Sequence, residues 1–228
     1  MMPVSGSLRV VAFLLCSGVA LPMAAQSPAI AAEWIDLSSV AEWRGYRRDT
    51  LPTAWRFEHD GVLTFSGSGG DIITKRQFGD FEFELEWRIA AGGNSGVFYR
   101  ATEGTRAIYE NAAEMQVLDN AAHPDGKLAT TSAGASFALY GPARDVSRPA
   151  GEWNVARLVV RGPHVEHWLN GVKVVEFELW SPEWRARVAA SKFTAWPAYG
   201  WNDRGYIGLQ DHGDMVSFRH MRIREVAP

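Results

Sequence analysis

The stretch "DFEFELEWRI", Asp80 to Ile89, sets Phe81, Phe83, Leu85, Trp87 and Ile89 on one side and Glu82, Glu84, Glu86 and Arg88 on the other. A period of two is the signature of an extended strand, because successive side chains leave a pleated backbone on opposite faces. One face of such a strand is buried and the other is expected to be wet. The same pattern recurs along the chain. "WRFEHDGVLTF" carries Asp60-Gly61 between two strand-like pieces, and "VARLVVRGPHVEHWLNGVKVVEFEL" carries Asn170-Gly171. Both dipeptides accept the positive φ of a tight turn, so both predict hairpins. Further strands are expected in "GNSGVFYR", "AEMQVLDN", "GYIGLQDHG" and "MVSFRHMRIREV". One helix is signalled, with Ser181 as N-cap, Pro182 at the first helical position and Glu183 near the positive end of the dipole. Many antiparallel strands with little helix predict an all-β fold, a two-sheet antiparallel β-sandwich with one short helix. One curved sheet of such a sandwich is expected to present an open concave face.

The first residues do not belong to that pattern. A lone Arg9 precedes an apolar run from Val10 to Leu21, followed by small residues up to Ala32. Residues 1–32 are therefore expected to be a signal peptide, and the protein to be exported to the periplasm or secreted. Residues 33–228 are expected to form a single domain. Cleavage would remove Cys16, the only cysteine, so the remainder would be held by packing without disulfides. The formal net charge of −3 includes no basic cluster, which argues against nucleic acid as a partner, and no membrane association is expected after cleavage. Nothing in the sequence specifies an oligomeric state. Ten tryptophans are spread along the chain; most are expected in the core, with a few free to serve as platforms for a sugar ring.

The polar residues are more selective. In "EMQVLDNAAHPDGK", Glu114 and Gln116 share one strand face while Met115 and Val117 take the other. In "YIGLQDHG", Ile207 and Leu209 point inward, which places Gln210 and His212 outward. Asn94 and Arg100 in "GGNSGVFYR", Asp119, Asp211 and Lys192 complete the candidate set. Asp119, His123 and Asp125 are O/N donors, but their spacing matches no firm metal motif. "GSGGD", Gly67 to Asp71, does not join a strand to a helix and reads as a turn rather than a phosphate loop. Glu114 to Asp119 also has the spacing E-x-D-x-x-E of sandwich-fold glucanases. Here Gln116 replaces the middle aspartate and Asp119 the second glutamate. A two-carboxylate glycosidase needs both groups at a defined separation, so the altered pattern points to different chemistry.

Taken with "EWRGYRRD", "GVLTFSGSGGDIITKRQFGDFEFELEWRI", "AGEWNVARLVVRGPHVEHWLNGVKVVEFEL", "SPEWRARVAASKF" and "GYIGLQDHGDMVSFRHMRIRE", these stretches resemble the 3-keto-disaccharide hydrolase domain family over nearly the whole of residues 33–228. The resemblance implies a concanavalin-like jelly roll that cleaves 3-keto-disaccharides or 3-keto-glucosides. A ketone at carbon 3 acidifies the hydrogen at carbon 2, so a base forms an enediolate, the carbon 1 oxygen leaves by β-elimination, and water adds to the product. Such a site needs a base, an acid and an enolate stabiliser. On this resemblance Glu114 and His212 are the base and acid, with His212 favoured as base because imidazole titrates near neutral pH. Lys192 or Arg100 stabilises the enolate. Asn94, Gln116, Asp119, Gln210 and Asp211 bind the sugar. The resemblance also implies a divalent metal ion as an alternative electrophile, with Glu114, His212 and Asp211 as its expected ligands, and no other cofactor. A non-catalytic carbohydrate-binding module and a conventional glucanase are the competing readings of the same sandwich.

Overall fold

The computed structural model describes Met1 and residues 32–227. Ala31–Pro228 forms one compact unit; the signal-peptide expectation for residues 1–32 lies outside the described residues, apart from Met1 and Ala32. No helix among the described residues is long and apolar enough to cross a membrane.

The first strands in chain order are β1 (Ile35–Asp36), β2 (Trp43–Gly45), β3 (Trp55–Phe57), β4 (Leu63–Phe65), β5 (Ile72–Thr74), β6 (Phe81–Ile89) and β7 (Asn94–Ala101). They are followed by β8 (Ala113–Leu118), β9 (Asn154–Arg161), β10 (His164–Leu169), β11 (Val172–Glu178), β12 (Tyr206–Leu209) and β13 (Val216–Glu225). The larger sheet runs β11-β10-β9-β6-β13-β4-β3, with β1 also paired to β13, and the smaller runs β2-β5-β12-β7-β8. Every ladder is antiparallel. The expected all-β sandwich is present. Both hairpins form: β3 pairs with β4 around Gly61 at φ 78°, and β10 with β11 around Asn170 and Gly171 at φ 51° and 80°. The single α-helix among the described residues, α1 (Pro182–Ala189), is capped by Ser181, whose hydroxyl accepts the Trp184 N–H at 3.1 Å.

The inner faces interdigitate in one core in which Phe81, Phe83, Leu85 and Trp87 of β6 meet Val97 and Tyr99 of β7 and Met115 and Val117 of β8. The outer face of the larger sheet departs from expectation in one respect. Glu82 is not wet but only 2 % exposed, because Arg157, Arg161 and Arg224 close over it at 3.1, 2.9 and 2.6 Å. Glu84 pairs with Arg222 and Glu86 with Arg219 in the same way. These guanidinium groups hold the Glu82 carboxyl below the ordinary range even though burial opposes them.

The outer face of the smaller sheet is not open either. A turn at Ile108–Glu110, the loop from His123 to Tyr140 and the turn at Lys192–Ala195 roof it over. Part of that loop behaves as an added strand, since Gly134 and Phe137 N–H groups donate to Gln116 and Glu114 carbonyls at 2.9 and 3.1 Å. The roof explains why the polar outer residues of β7 and β8 are buried.

Arg100 was expected near the site, but the fold uses it elsewhere. It is 3 % exposed, sits at φ 53°, and donates to Gly79 O at 3.0 Å, Gly162 O at 2.8 Å and Asp80 Oδ1 at 3.0 Å. It therefore ties β7 of one sheet to the ends of β6 and β9 in the other. Removing it would strand two carbonyls and a partly buried carboxylate. Arg100→Ala should lower unfolding free energy by roughly 2–4 kcal/mol, read by denaturant titration, and the folded fraction should retain its affinity for substrate.

Candidate active site

Register places the outer side chains. Gly96 lies opposite Gln116, and Phe98 opposite Glu114, in the β7–β8 ladder. Gln210 continues β12, its N–H donating to Gly96 O at 3.0 Å while its own carbonyl accepts the Ser95 hydroxyl at 2.9 Å. The outward residues of three neighbouring strands thus converge. Asn94, Glu114, Gln116, Lys192, Gln210 and His212 line one cavity of about 240 Å³, together with Tyr109, Asp125, Phe137 and Phe193.

Glu114 is the most constrained group in it. The side chain folds back over Gly96 so closely that a Cβ there would fall 2.7 Å from its Cδ and 2.8 Å from its Cγ. Only glycine leaves this space. Glu114 is 5 % exposed, and its carboxyl receives no hydrogen bond from the described residues. Burial therefore pushes it up to about 8; the Lys192 charge opposes the shift and the Asp71 charge adds to it. Burial wins. The protonated form is thereby favoured at neutral pH.

Around this acid the floor is rich in acceptors. Gln116 donates its amide to Asn94 Oδ1 at 3.1 Å, which leaves its Oε1 buried without a partner. Gln210 Oε1 is buried and unpartnered as well. Orphaned carbonyl oxygens are costly unless a ligand supplies donors, and sugar hydroxyls do so. On the wall, Lys192 Nζ stands 4.3 Å from the Phe137 ring centre and 5.4 Å from that of Phe193, with no carboxylate in ion-pair range among the described residues. Its position owes nothing to strand register. Ser191 caps the short turn by accepting the Phe193 N–H at 3.1 Å, and this fixes where Lys192 leaves the backbone.

His212 is at the rim, its side chain 49 % exposed, with Nδ1 3.8 Å from Asp214 Oδ2 and its ring centre 6.3 Å from that of His123. Asp214 also accepts the Asn94 N–H at 3.0 Å.

Two further expected residues lie outside the cavity because their polar atoms hold loops. Asp119 accepts Gly92 N–H at 2.8 Å and Ala121 N–H at 3.1 Å. Asp211 accepts Gly69, Gly70 and Gly213 N–H groups at 2.7, 2.6 and 2.9 Å. Asp211 is thereby removed from the expected metal set. Among the described residues no three His, Asp or Glu ligand atoms come within 4.8 Å of one another in this cavity. His164, Glu166 and Glu176 do so on β10 and β11, where Lys173 already binds both glutamates at 3.1 and 2.7 Å. Within the cavity, the oxygens that suit a hard divalent cation are the Glu114 and Asp125 carboxylates and the orphaned Gln116 and Gln210 amides. No tryptophan lines the cavity; Tyr109 does, with Trp196 edge-on behind it at 5.3 Å.

Sequence reasoning missed Tyr109, Phe137 and Phe193, which come from turns without a period. It also missed Asp71, which ends the glycine-rich turn beside Gln210. Burial pushes the Asp71 carboxyl up to about 6, the Asp211 charge contributes, and the Asp211 N–H at 2.9 Å pulls the other way. A larger hollow of about 770 Å³ lies over the Arg–Glu lattice of the other sheet, lined by Trp34, Glu84 and Arg222 among others. It contains none of the candidate site residues.

Comparison with known proteins agrees with the fold. The model of the 3-keto-alpha-glucoside-1,2-lyase-like domain family matches residues 33–224. A 3-keto-disaccharide hydrolase of Bacteroides thetaiotaomicron is 40% identical, over 80% of this chain and 73% of its own. A presumed glycosyl hydrolase of Parabacteroides distasonis superposes with TM-score 0.79 at 30% identity, over 85% of this chain and 94% of its own. The Bacillus subtilis carbohydrate-binding module CBM66, at 13% identity and TM-score 0.52 over 81% of this chain and 96% of its own, shares the fold alone.

The raised Glu114 pKa has a stability consequence. Below the ordinary carboxyl range near 4.5 the group is neutral in both folded and unfolded chains, and the folded state keeps its full stability. Above it the unfolded chain ionises first, so stability falls with pH until about 8. Glu114→Gln should match the parent Tm at pH 4–5 and exceed it progressively up to pH 8–9. Parallel Tm–pH curves would contradict the assignment.

Proposed function

The chain belongs to the 3-keto-alpha-glucoside-1,2-lyase-like domain family, and from that premise we propose that it cleaves glycosides whose sugar carries a ketone at carbon 3. Membership makes it an enzyme acting on sugars. The narrower reading rests on one observation: a single cavity brings a buried carboxyl, whose burial favours its neutral form, together with an ammonium and an imidazole. A conventional glucanase would need the second carboxylate of its strand motif, and Asp119 is turned into a loop clamp.

In this reading His212 at the rim takes the proton from carbon 2. The electron pair forms the enolate across carbons 2 and 3, and the Lys192 ammonium stabilises the charge on the carbon 3 oxygen. As the enolate collapses, the carbon 1–oxygen bond breaks and Glu114 gives its proton to the departing oxygen. A carboxyl held neutral by burial is suited to that donation. Water then adds at carbon 1 of the unsaturated ketone, giving one proton to the Glu114 carboxylate, and His212 returns its proton to carbon 2, so both residues are restored and the balance is that of hydrolysis. Asn94, Gln116 and Gln210 receive hydroxyls of the sugar. Were Glu114 ionised instead of serving as the acid, its carboxylate with the Gln116 and Gln210 oxygens would be the set to hold a divalent cation, which would supply polarisation of the ketone. Export to the periplasm, as the N-terminal run leads one to expect, belongs to the same reading.

Glu114→Gln and His212→Ala should each reduce turnover of a 3-keto-glucoside by about 10²–10⁴ with the fold intact by circular dichroism. Wild-type activity should also fall above an apparent pKa near 8. Release of aglycone from an unoxidised glucoside at a comparable rate would overturn the reading, as would full turnover by both variants.

A further inference from the structure

A second hollow, of about 440 Å³, adjoins the first, and the two have Phe137 and Lys192 in common. The shared wall is a cation–π pair, with Nζ 4.3 Å from the Phe137 ring centre. The first cavity has room for about eight water volumes, enough for one sugar ring and not two. A glycoside bound there must send its other half out of the cavity. We propose that the second hollow receives the leaving group, with the scissile bond lying across the Phe137–Lys192 wall. This rests on the reading of the first cavity as the site of the 3-keto sugar.

Three features carry it. The Phe137 N–H donates to Glu114 O at 3.1 Å, so the wall is anchored to the residue assigned as proton donor to the departing oxygen. Secondly, the hollow is held rigid from both sides. Ala138 N–H donates to Thr130 O at 2.7 Å, and Arg187 reaches from α1 to Leu139 O at 2.9 Å. A preformed hollow binds without the ordering cost of a mobile loop. Its chemistry is the third feature. No carboxylate lines it, and the Arg187 charge is taken up by Glu183 at 3.0 Å and by the Tyr140 ring at 4.4 Å. Beyond the Lys192 ammonium at the shared wall and Ser191, what remains is apolar surface from Phe137, Leu139 and Ala190 beside the threonines at 130 and 131. That lining fits a neutral ring with one apolar face and hydroxyls, such as a second sugar.

Ala190 is exposed and caps the end of α1, so it accepts a larger side chain without disturbing the core. The test compares a 3-keto disaccharide with the methyl 3-keto-glucoside of the same anomer, two alkyl leaving groups differing mainly in size. Ala190→Trp should lower the ratio of kcat/KM, disaccharide over methyl glucoside, by at least about tenfold, equivalent to about 1.4 kcal/mol of lost leaving-group binding. Ala190→Leu should lower it by a smaller factor, and it decides the matter if the Trp variant fails to fold by thermal melt. An unchanged or increased ratio in the folded variants would overturn the leaving-group assignment while leaving the first cavity's role standing. If the wild type cleaves neither substrate, the underlying reading fails instead.

Discussion

A carboxyl group closed in against a glycine is the constraint on which the site depends. Glu114 fits over β7 only because position 96 lacks a side chain, and once there it finds no hydrogen-bond donor and little water. An ionised carboxylate in that place would be uncompensated, so the proton stays on. The roof of turns and loop above β8 is part of the same device. It excludes solvent from Glu114 and brings Lys192 and Phe137 to the cavity. Lys192 moderates the effect of burial without cancelling it.

The larger sheet supplies the stability that this arrangement spends. The three outer glutamates of β6 are each matched by arginine from β9 or β13, and the sheet's inner face contributes many of the large core side chains. Arg100 then couples that sheet to β7, the strand that carries both Asn94 and Gly96. The buried polar groups of the molecule therefore separate into two kinds. Some, such as Asp119 and Asp211, have their oxygens engaged by backbone amides, and Arg100 is held by two backbone carbonyls and Asp80. Others, namely Gln116 and Gln210, keep a buried oxygen without a partner in the hollow that Glu114 also lines.

This distinction marks how far the sequence could be read. Period-two patterning and the turn dipeptides located the strands, hairpins and helix start, because those signals are local. Alternation also put Glu114, Gln116 and Gln210 on a common face, since Met115, Val117, Ile207 and Leu209 had to enter the core. It could not tell Gln116 from Asp119. Both are polar residues on the same short segment, and only the course of the backbone at Gly92 and Ala121 decides that Asp119 is a clamp. Arg100 and Asp211 were misplaced for the same reason. Tyr109, Phe137 and Phe193 were missed because loop positions follow from tertiary contacts. Asp71 was hidden in a glycine-rich turn whose backbone amides are needed by Asp211. The extent of the roof was not legible either, so glutamates expected in water and a sheet face expected to be open both proved to be covered.

The central claim is that Glu114 carries its proton at neutral pH. Infrared difference spectroscopy of the wild type against Glu114→Gln, followed from pH 4 to pH 10, observes that proton through the carbonyl stretch of a protonated carboxyl. The account predicts a single such band, absent from the variant, that disappears with a midpoint near 8. A band lost by pH 5 would show an ordinary, solvated carboxylate and would contradict it.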